Sequence, residues 1–194
     1  LEADNLVTRS NDGRADPQGG FWIGTMGIHA EPGAGSIYRY FKGELRLLYE
    51  DISISNSICF APSGDTAYFA DTPTGQIKCQ KLDGDGWPIG AAEVFVDLKA
   101  EGLNPDGSVV DSAGNLWNAQ WGAHRVACYD PNGNLIETVS FAAEQISCPA
   151  FGGYEYKTLF ATSAADGLDG PNEGCTFMQS GISVAGQAEH RVIL

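Results

Sequence analysis

The stretch Asp111-Ser112-Ala113-Gly114-Asn115-Leu116-Trp117-Asn118-Ala119 joins a tight turn to an apolar run. Asp and Gly favour the turn, whereas Leu and Trp suit a buried strand. The same pattern occurs at 16–24 and 62–70, and a looser copy follows Gly152-Gly153 at 158–162. Each copy carries one aromatic anchor, and the anchors are spaced 46, 49 and 43 residues apart: Trp22, Tyr68, Trp117 and Phe160. The chain therefore contains an internal repeat.

Two further runs of alternating polarity follow each anchor. The first set lies at 36–40, 76–79, 125–129 and 175–178, and the second set lies at 45–49, 93–96, 135–139 and 188–193. A period of about 40–50 residues with several short strands and no helical stretch is typical of a β-propeller blade. We therefore predict an all-β protein with about four propeller blades. A β-sandwich with evenly spaced hairpins is the alternative.

Composition limits the classes of partner. The 194 residues include 25 acidic and 11 basic side chains, a net charge of −14, which repels nucleic acid and anionic membrane surfaces. The hydrophobic share of 43% is sufficient for a core. No apolar run approaches the ~18 residues of a membrane span, and no signal peptide is recognisable, so we expect a cytoplasmic protein. The five cysteines are scattered without a C-x-x-C pair, which predicts reduced, mostly buried thiols.

The residues that precede each anchor form a candidate site. In a propeller the innermost strand of each blade runs beside the central channel, so residues just before the anchor face a common point. Counting back 11 or 12 residues from the four anchors reaches Asn11, Asn56, Asp106 and Cys148. One carboxylate and two amides at a channel mouth suit Ca²⁺, Mg²⁺ or Mn²⁺, and Zn²⁺ also accepts carboxylate oxygen.

Arg9 stands two residues before Asn11 and points the same way on an extended strand. It could clamp a substrate oxygen or pair with a nearby carboxylate, and the sequence leaves both readings open. Asn-Asp-Gly and Pro-Asp-Gly are also ordinary turn tripeptides, but turn chemistry does not require the register shared by the blades. The three histidines show no triad or helical spacing, and we expect them at the surface or in packing roles.

Five ordered motifs resemble the SMP-30/gluconolactonase/LRE-like family, which includes regucalcin and the bacterial sugar lactonases. They are Arg9-Ser10-Asn11-Asp12-Gly13-Arg14, Trp22-Ile23-Gly24-Thr25-Met26, Ile54-Ser55-Asn56-Ser57, Pro105-Asp106-Gly107-Ser108 and Leu116-Trp117-Asn118-Ala119-Gln120-Trp121-Gly122. The resemblance covers essentially the whole chain and implies a six-bladed propeller with one divalent metal ion in its channel. It implies that Asn56 and Asp106 bind the metal, that Asp106 is also the acid/base residue, and that Arg9 and Asn11 bind the substrate.

The sequence departs from the family pattern at the first blade of the family's six-bladed ring. The family's third metal ligand is a Glu there, and nothing upstream of Arg9 can supply it, since Glu2 lies too close to the next motif. Six blades of ~47 residues need about 280 residues. We therefore expect residues 1–194 to form a single propeller domain, the C-terminal two thirds of the ring. The chain opens Leu1-Glu2-Ala3-Asp4, without Met, and we expect an upstream segment or an oligomer to complete the ring.

A second departure lies in the loop after Met26. This chain reads Gly27-Ile28-His29 where relatives carry a Glu near the substrate, so the sugar contacts in this loop are open.

Two functions follow as alternatives. The resemblance implies metal-dependent hydrolysis of a small sugar lactone, with one bound Ca²⁺, Zn²⁺, Mg²⁺ or Mn²⁺ that stabilises the oxyanion. The alternative is a non-catalytic propeller fragment that binds Ca²⁺ or a protein partner. A different hydrolase, or a propeller resembling strictosidine synthase, is a further alternative, and such a propeller would not need the aligned Asn and Asp residues.

Overall fold

The structure is a computed structural model that describes residues 1–193. Within this range each blade is one antiparallel sheet whose strands follow chain order. Blade 1 contains β1 (Thr8–Ala15), β2 (Phe21–Gly27), β3 (Gly35–Phe41) and β4 (Glu44–Ile52). Blade 2 contains β5 (Ser55–Phe60), β6 (Thr66–Asp71), β7 (Gln76–Lys81) and β8 (Glu93–Asp97).

Blade 3 contains β9 (Asn104–Val110), β10 (Leu116–Trp121), β11 (Arg125–Tyr129) and β12 (Leu135–Ser140). Blade 4 contains β13 (Ile146–Gly152), β14 (Thr158–Ser163) and β15 (Thr176–Ser180). Three single turns of 3₁₀ helix lie in connections, at Thr72–Thr74, Lys99–Glu101 and Tyr154–Tyr156. The first strands of successive blades pack side by side. The all-β propeller prediction is confirmed, and the sandwich alternative is wrong because the sheets are separate and sequential.

A single aspartate organises the turn between the first two strands of blades 1 and 3. Asp16 Oδ1 accepts hydrogen bonds from the backbone N–H groups of Gln18 and Gly20. Asp111 Oδ1 accepts the equivalent bonds from Ala113 and Asn115. An aspartate that binds the backbone of its own turn stabilises that turn wherever the sequence repeats it.

The hydrophobic core lies between the blades, in three clusters. Trp22 packs edge-on against Phe60 across the interface of blades 1 and 2, with ring centroids 5.7 Å apart. Tyr68 belongs to the cluster between blades 2 and 3. Trp117 packs edge-on against Phe151 between blades 3 and 4, at 5.5 Å. The repeat therefore places three of its four anchors in the interfaces between blades, where burial of their rings stabilises the packing, whereas Phe160 is half-buried.

The C-terminal tail corrects one prediction. Residues 188–193 were expected to form the outer strand of blade 4, but they form no strand. The tail instead crosses the ends of the first strands: Gln187 Nε2 donates to the carbonyls of Phe60 and Val110, and Glu189 pairs with Arg14. Ile193 N–H then donates to the carbonyl of Gly19 at 2.7 Å. Phe60 and Val110 are the last residues of β5 and β9, so the tail binds at the end of the channel where the first strands finish, rather than beside β15.

The five cysteines are free, as predicted. Cys59 and Cys128 are buried and Cys79 and Cys148 are half-buried, but Cys175 is exposed, so burial was predicted correctly only in part. Among the described residues, no helix is long and apolar enough to cross a membrane.

Candidate functional site

A cleft of about 800 Å³ opens at the end of the channel where the first strands of the blades begin. Of the residues that the sequence placed in one site, Cys148 does not line the cleft, whereas Arg9, Asn11, Asn56 and Asp106 do. They come from three different blades, so the propeller fold brings together residues that lie up to 97 positions apart in the chain.

A β-bulge produces the common register of these residues. In β1 the pair Asn11 and Asp12 stands opposite the single residue Gly24, and β9 carries the same two-against-one bulge at Asp106 and Gly107. The first strand of blade 2 bulges one residue after Asn56. A bulge re-aims side chains and is common beside functional sites. The distance of 11 or 12 residues to each anchor therefore has a structural cause.

Two glycines allow the bulged strands to approach one another. A Cβ on Gly24 would lie 2.1 Å from Ser55 Oγ, and a Cβ on Gly107 would lie 2.7 Å from Cys148 Sγ. Both positions therefore require glycine, because any side chain would push neighbouring blades apart. Cys148 is packed against blade 3 in this way, and it is not among the residues that line the cleft.

A chain of hydrogen bonds connects the polar residues of the cleft. Arg9 Nη1 donates to Asn11 Oδ1 at 3.1 Å, and Asn11 Nδ2 donates to Asn56 Oδ1 at 3.3 Å. Asn56 Nδ2 donates to Thr72 Oγ1 at 2.9 Å, which donates to the carbonyl of Pro105 at 2.7 Å. Each side chain is thus oriented by its neighbour before a ligand binds.

Arg9 is exposed, and it forms no ion pair within the described residues. Of the two readings that its position left open, pairing with a carboxylate of the described chain is therefore wrong. Its guanidinium retains N–H donors that face the cleft, which suits contact with an oxygen of a ligand.

Asp106 has an unusual acidity. Burial, and to a smaller extent the nearby charge of Asp12, together raise the pKa of its carboxyl to about 7 against the opposing effect of the Gly107 N–H. Burial also raises the pKa of Asp12, although the N–H groups of Ile58 and Gly13 bind its carboxylate. A carboxyl group that titrates near neutral pH can both accept and return a proton, which is the property of an acid/base residue.

The cleft also contains residues that the sequence reading missed. Met26, Thr72 and Trp121 line it, and each follows the anchor of its blade by four residues. Counting four residues forward from each anchor would have identified them, because the second strand of each blade runs from its anchor back to the cleft. The other lining residues are Ile28, His29, Ala30, Ile54, Pro73, Asn104 and Asp166. His29 is exposed, as expected, and it lies on the cleft rim in the loop that departs from the family pattern.

Two oxygen donors could hold a divalent metal ion. Asn56 supplies an amide oxygen, and the half-buried Asp106 supplies a carboxylate that has no cationic side chain paired with it among the described residues. A desolvated carboxylate without a counter-ion is a suitable ligand for a hard cation. Glu2 does not complete the set, because it does not line the cleft and its carboxylate instead accepts from Thr25 Oγ1 and Tyr38 OH. The described residues contain no group of three His, Cys, Asp or Glu side chains that could hold a metal ion.

Known proteins are similar to this chain in sequence and in fold. A protein of Rhizobium meliloti (strain 1021), provisionally named sugar lactone lactonase, is 42% identical over 188 residues, 93% of this chain and 64% of its own. The L-arabinolactonase of Azospirillum brasilense is 38% identical over 185 residues, 89% of this chain and 60% of its own. This chain therefore spans less than two thirds of the length of these relatives.

A solved structure agrees with the fold over the whole chain. The crystal structure described as a calcium-binding protein, regucalcin, from Agrobacterium tumefaciens str. C58 superposes with a TM-score of 0.95 at 46% identity. It covers 100% of this chain, which covers 68% of it. A family model for the SMP-30/Gluconolactonase/LRE-like region matches residues 1–165, and the chain therefore belongs to this family.

Proposed function

We propose that this protein hydrolyses sugar lactones with the aid of one divalent metal ion. The observation that carries the proposal is the cleft, in which the polar side chains of Arg9, Asn11 and Asn56 line the same space as the carboxyl group of Asp106. The named relatives include lactonases that act on several sugars, which supports a sugar lactone as substrate without selecting one.

Asp106 is the proposed acid/base residue. Its carboxylate takes a proton from the water that attacks the lactone carbonyl carbon. The bond between that carbon and the ring oxygen then breaks, and the carboxyl group returns the proton to the ring oxygen, which becomes the hydroxyl of the sugar acid. One water molecule is consumed, and Asp106 ends in its starting state.

Arg9 and Asn11 are the proposed binding residues. Both line the cleft, and their mutual hydrogen bond at 3.1 Å limits the motion of two polar side chains. They replace the water that a sugar hydroxyl or carbonyl loses on entering the cleft, and they hold the substrate in one orientation.

Asn56 and Asp106 are the proposed metal ligands. A divalent cation bound there supplies Lewis-acid polarisation of the lactone carbonyl and charge to stabilise the oxyanion. Ca²⁺, Zn²⁺, Mg²⁺ and Mn²⁺ all suit oxygen donors. We also propose that residues 1–194 form one domain within a six-bladed ring, and that an upstream segment or a second chain completes it. A cytoplasmic location remains a prediction.

The experiment is lactone hydrolysis measured in a pH-stat at pH 7 with glucono- and arabinono-lactones, with each of the four cations and with EDTA. We expect turnover that depends on the cation, and a loss of about 10²- to 10⁴-fold in kcat for Asp106→Asn. Equal rates for the wild type and this variant would contradict the assignment of Asp106.

The alternative function is binding of Ca²⁺ without catalysis, which the name of the regucalcin structure favours. The same samples test it by calorimetric titration with Ca²⁺. Tight Ca²⁺ binding combined with no cation-dependent turnover of any lactone would favour this alternative over hydrolysis.

A further inference from the structure

Asn118 differs from the residues at the same position of the other blades. It directly follows the anchor Trp117, and the corresponding residues of blades 1, 2 and 4 are Ile23, Phe69 and Ala161. Asn118 is completely buried. A buried amide is costly unless it is hydrogen-bonded, and an apolar side chain serves packing at this position elsewhere in the protein. The amide therefore has another role.

The amide of Asn118 binds the backbone of Asp106. Its Nδ2 lies 3.1 Å from the carbonyl oxygen of Asp106 and 3.0 Å from Ser108 Oγ. Ser57 Oγ, from blade 2, donates to the same Asp106 carbonyl at 2.6 Å and lies 3.3 Å from Asn118 Nδ2. The carbonyl is thus held from two blades at once.

The surroundings of these contacts are unfavourable in two ways. Ser57 adopts a φ of +61°, in the left-handed region that a residue with a side chain rarely occupies. Asn118 Oδ1 is buried and has no hydrogen-bond partner among the described residues. Backbone strain and unpaired polar atoms persist where the surrounding structure compensates for them, often at functional sites. Both features here adjoin a single peptide group, that of Asp106.

We propose that Asn118 and Ser57 are positioning residues that fix the direction of the Asp106 carboxylate. Asp106 lies in the bulge of β9, where regular ladder pairing is interrupted. The two donors replace that pairing and prevent the Asp106–Gly107 peptide from rotating. Both side chains are fully buried and neither lines the cleft, so they act through Asp106 rather than on the substrate. This inference rests on the proposed function of Asp106.

The test compares two buried amides of the same strand. Asn118→Val removes the donor and keeps a similar size. The matched control is Gln120→Leu, since Gln120 is equally buried in β10 but binds Tyr129 OH and the Arg125 guanidinium, on the side away from Asp106. Ser57→Ala removes the other donor and provides a second variant if Asn118→Val fails to fold. Asn118→Thr restores a hydroxyl donor.

The measurements are kcat and KM for the lactone, the Kd for Mn²⁺ alone by calorimetry, and the midpoint of thermal unfolding. For Asn118→Val and Ser57→Ala we expect kcat to fall and the Mn²⁺ Kd to rise, each by about 10- to 100-fold, with KM within about threefold. Asn118→Thr should recover part of both losses. Gln120→Leu should lower the unfolding midpoint and leave kcat and the Mn²⁺ Kd unchanged.

Two results would overturn the inference. One is a Ser57→Ala or Asn118→Val variant that loses stability as the control does but keeps the wild-type kcat and Mn²⁺ Kd. The other is a wild-type protein that neither turns over lactones nor binds Mn²⁺, because Asn118 and Ser57, which together form the clamp on the Asp106 carbonyl, would then have no site to position. A wild type that binds Mn²⁺ without turnover contradicts the proposed hydrolysis only, and the Mn²⁺ Kd of the variants still decides the role of the clamp.

Discussion

Blades 1 and 3 contain the same aspartate six residues before the same tryptophan, but the two blades use it differently. In blade 3, Trp117 Nε1 donates to Asp111 Oδ2 at 2.9 Å. In blade 1, Asp16 Oδ2 accepts instead from Arg39 Nε at 2.6 Å, and the buried Trp22 Nε1 has no partner among the described residues. In both blades Oδ1 of the aspartate accepts the hydrogen bonds of the repeated turn, so Oδ2 can accept from a different partner in each blade.

The two arrangements differ in the charge that they bury. Asp16 and Arg39 form an ion pair with both side chains fully buried. The Arg39 guanidinium also lies over the rings of Phe41 and Trp87, at 4.5 and 4.3 Å from their centroids. Asp111 binds only neutral donors. Because desolvation of a charge is costly and must be offset by its partner, blade 1 depends on one pair and blade 3 on several neutral bonds.

Removal of Arg39 should have the largest effect on stability. Arg39→Leu leaves the Asp16 carboxylate buried without a cation, and we expect the free energy of unfolding to fall by about 3–5 kcal/mol. Urea unfolding followed by tryptophan fluorescence measures this change. Arg46→Leu is the control, since Arg46 is exposed and its pair with Glu44 contributes about 0–1 kcal/mol.

A double variant sharpens this result. Asp16→Asn together with Arg39→Leu removes both charges of the buried pair and leaves an amide to accept the hydrogen bonds of the turn in blade 1. We expect it to be more stable than Arg39→Leu alone by about 1–2 kcal/mol. Equal stability of the single and double variants would show that burial of the unpaired charge is not the cause of the loss.

The tryptophans provide a smaller, matched comparison. Trp117→Phe and Trp22→Phe remove similar volume from similar interfaces, but only Trp117 loses a hydrogen bond to a buried carboxylate. We expect Trp117→Phe to destabilise the protein by about 1 kcal/mol more than Trp22→Phe. The measurement is the difference between their urea unfolding free energies, and a difference of zero would remove the distinction drawn between the two blades.

Asp106 extends the comparison to a carboxylate that has neither a cation nor a set of turn donors. Burial and Asp12 raise the pKa of its carboxyl from 3.8 to about 7, so ionisation is harder in the folded protein than in the unfolded chain. The folded state therefore loses stability as the pH rises from about 4 to about 7, and the loss is complete above that range.

Asp106→Asn removes this pH dependence. In EDTA we expect equal unfolding temperatures for variant and wild type near pH 4. Above pH 7 the variant should unfold at a higher temperature, because a rise in pKa from 3.8 to about 7 corresponds to at most about 4 kcal/mol, or on the order of 10 °C. Thermal unfolding across pH 4–8 measures the difference. An advantage of the variant that is largest at pH 4 would contradict the raised pKa, and saturating Mn²⁺ should reduce the advantage at pH 8.

The residues of the candidate site could be predicted from the sequence where their positions follow from the repeat, that is, from a fixed distance to the aromatic anchor of the blade. The anchor spacing identified Asn11, Asn56 and Asp106, because the bulge falls at the same distance from each of their anchors, but it also reached Cys148, which does not line the cleft. Their roles remain predictions. Thr72 and Trp121 were also within reach of the sequence, by counting four residues forward from Tyr68 and Trp117, since a strand that starts at the anchor ends at the cleft.

The sequence by itself determined the strands, the turns and the position of each residue within its blade, because these depend on periods of two residues and on short-range hydrogen bonds. Only the tertiary structure decided the course of the C-terminal tail, the pairing of Asp16 with Arg39 and the contact of Asn118 with Asp106. Each of these joins groups from different turns or blades. The physical reason is that a carboxylate, amide or guanidinium binds whichever complementary group packing places beside it, and local sequence does not specify that neighbour.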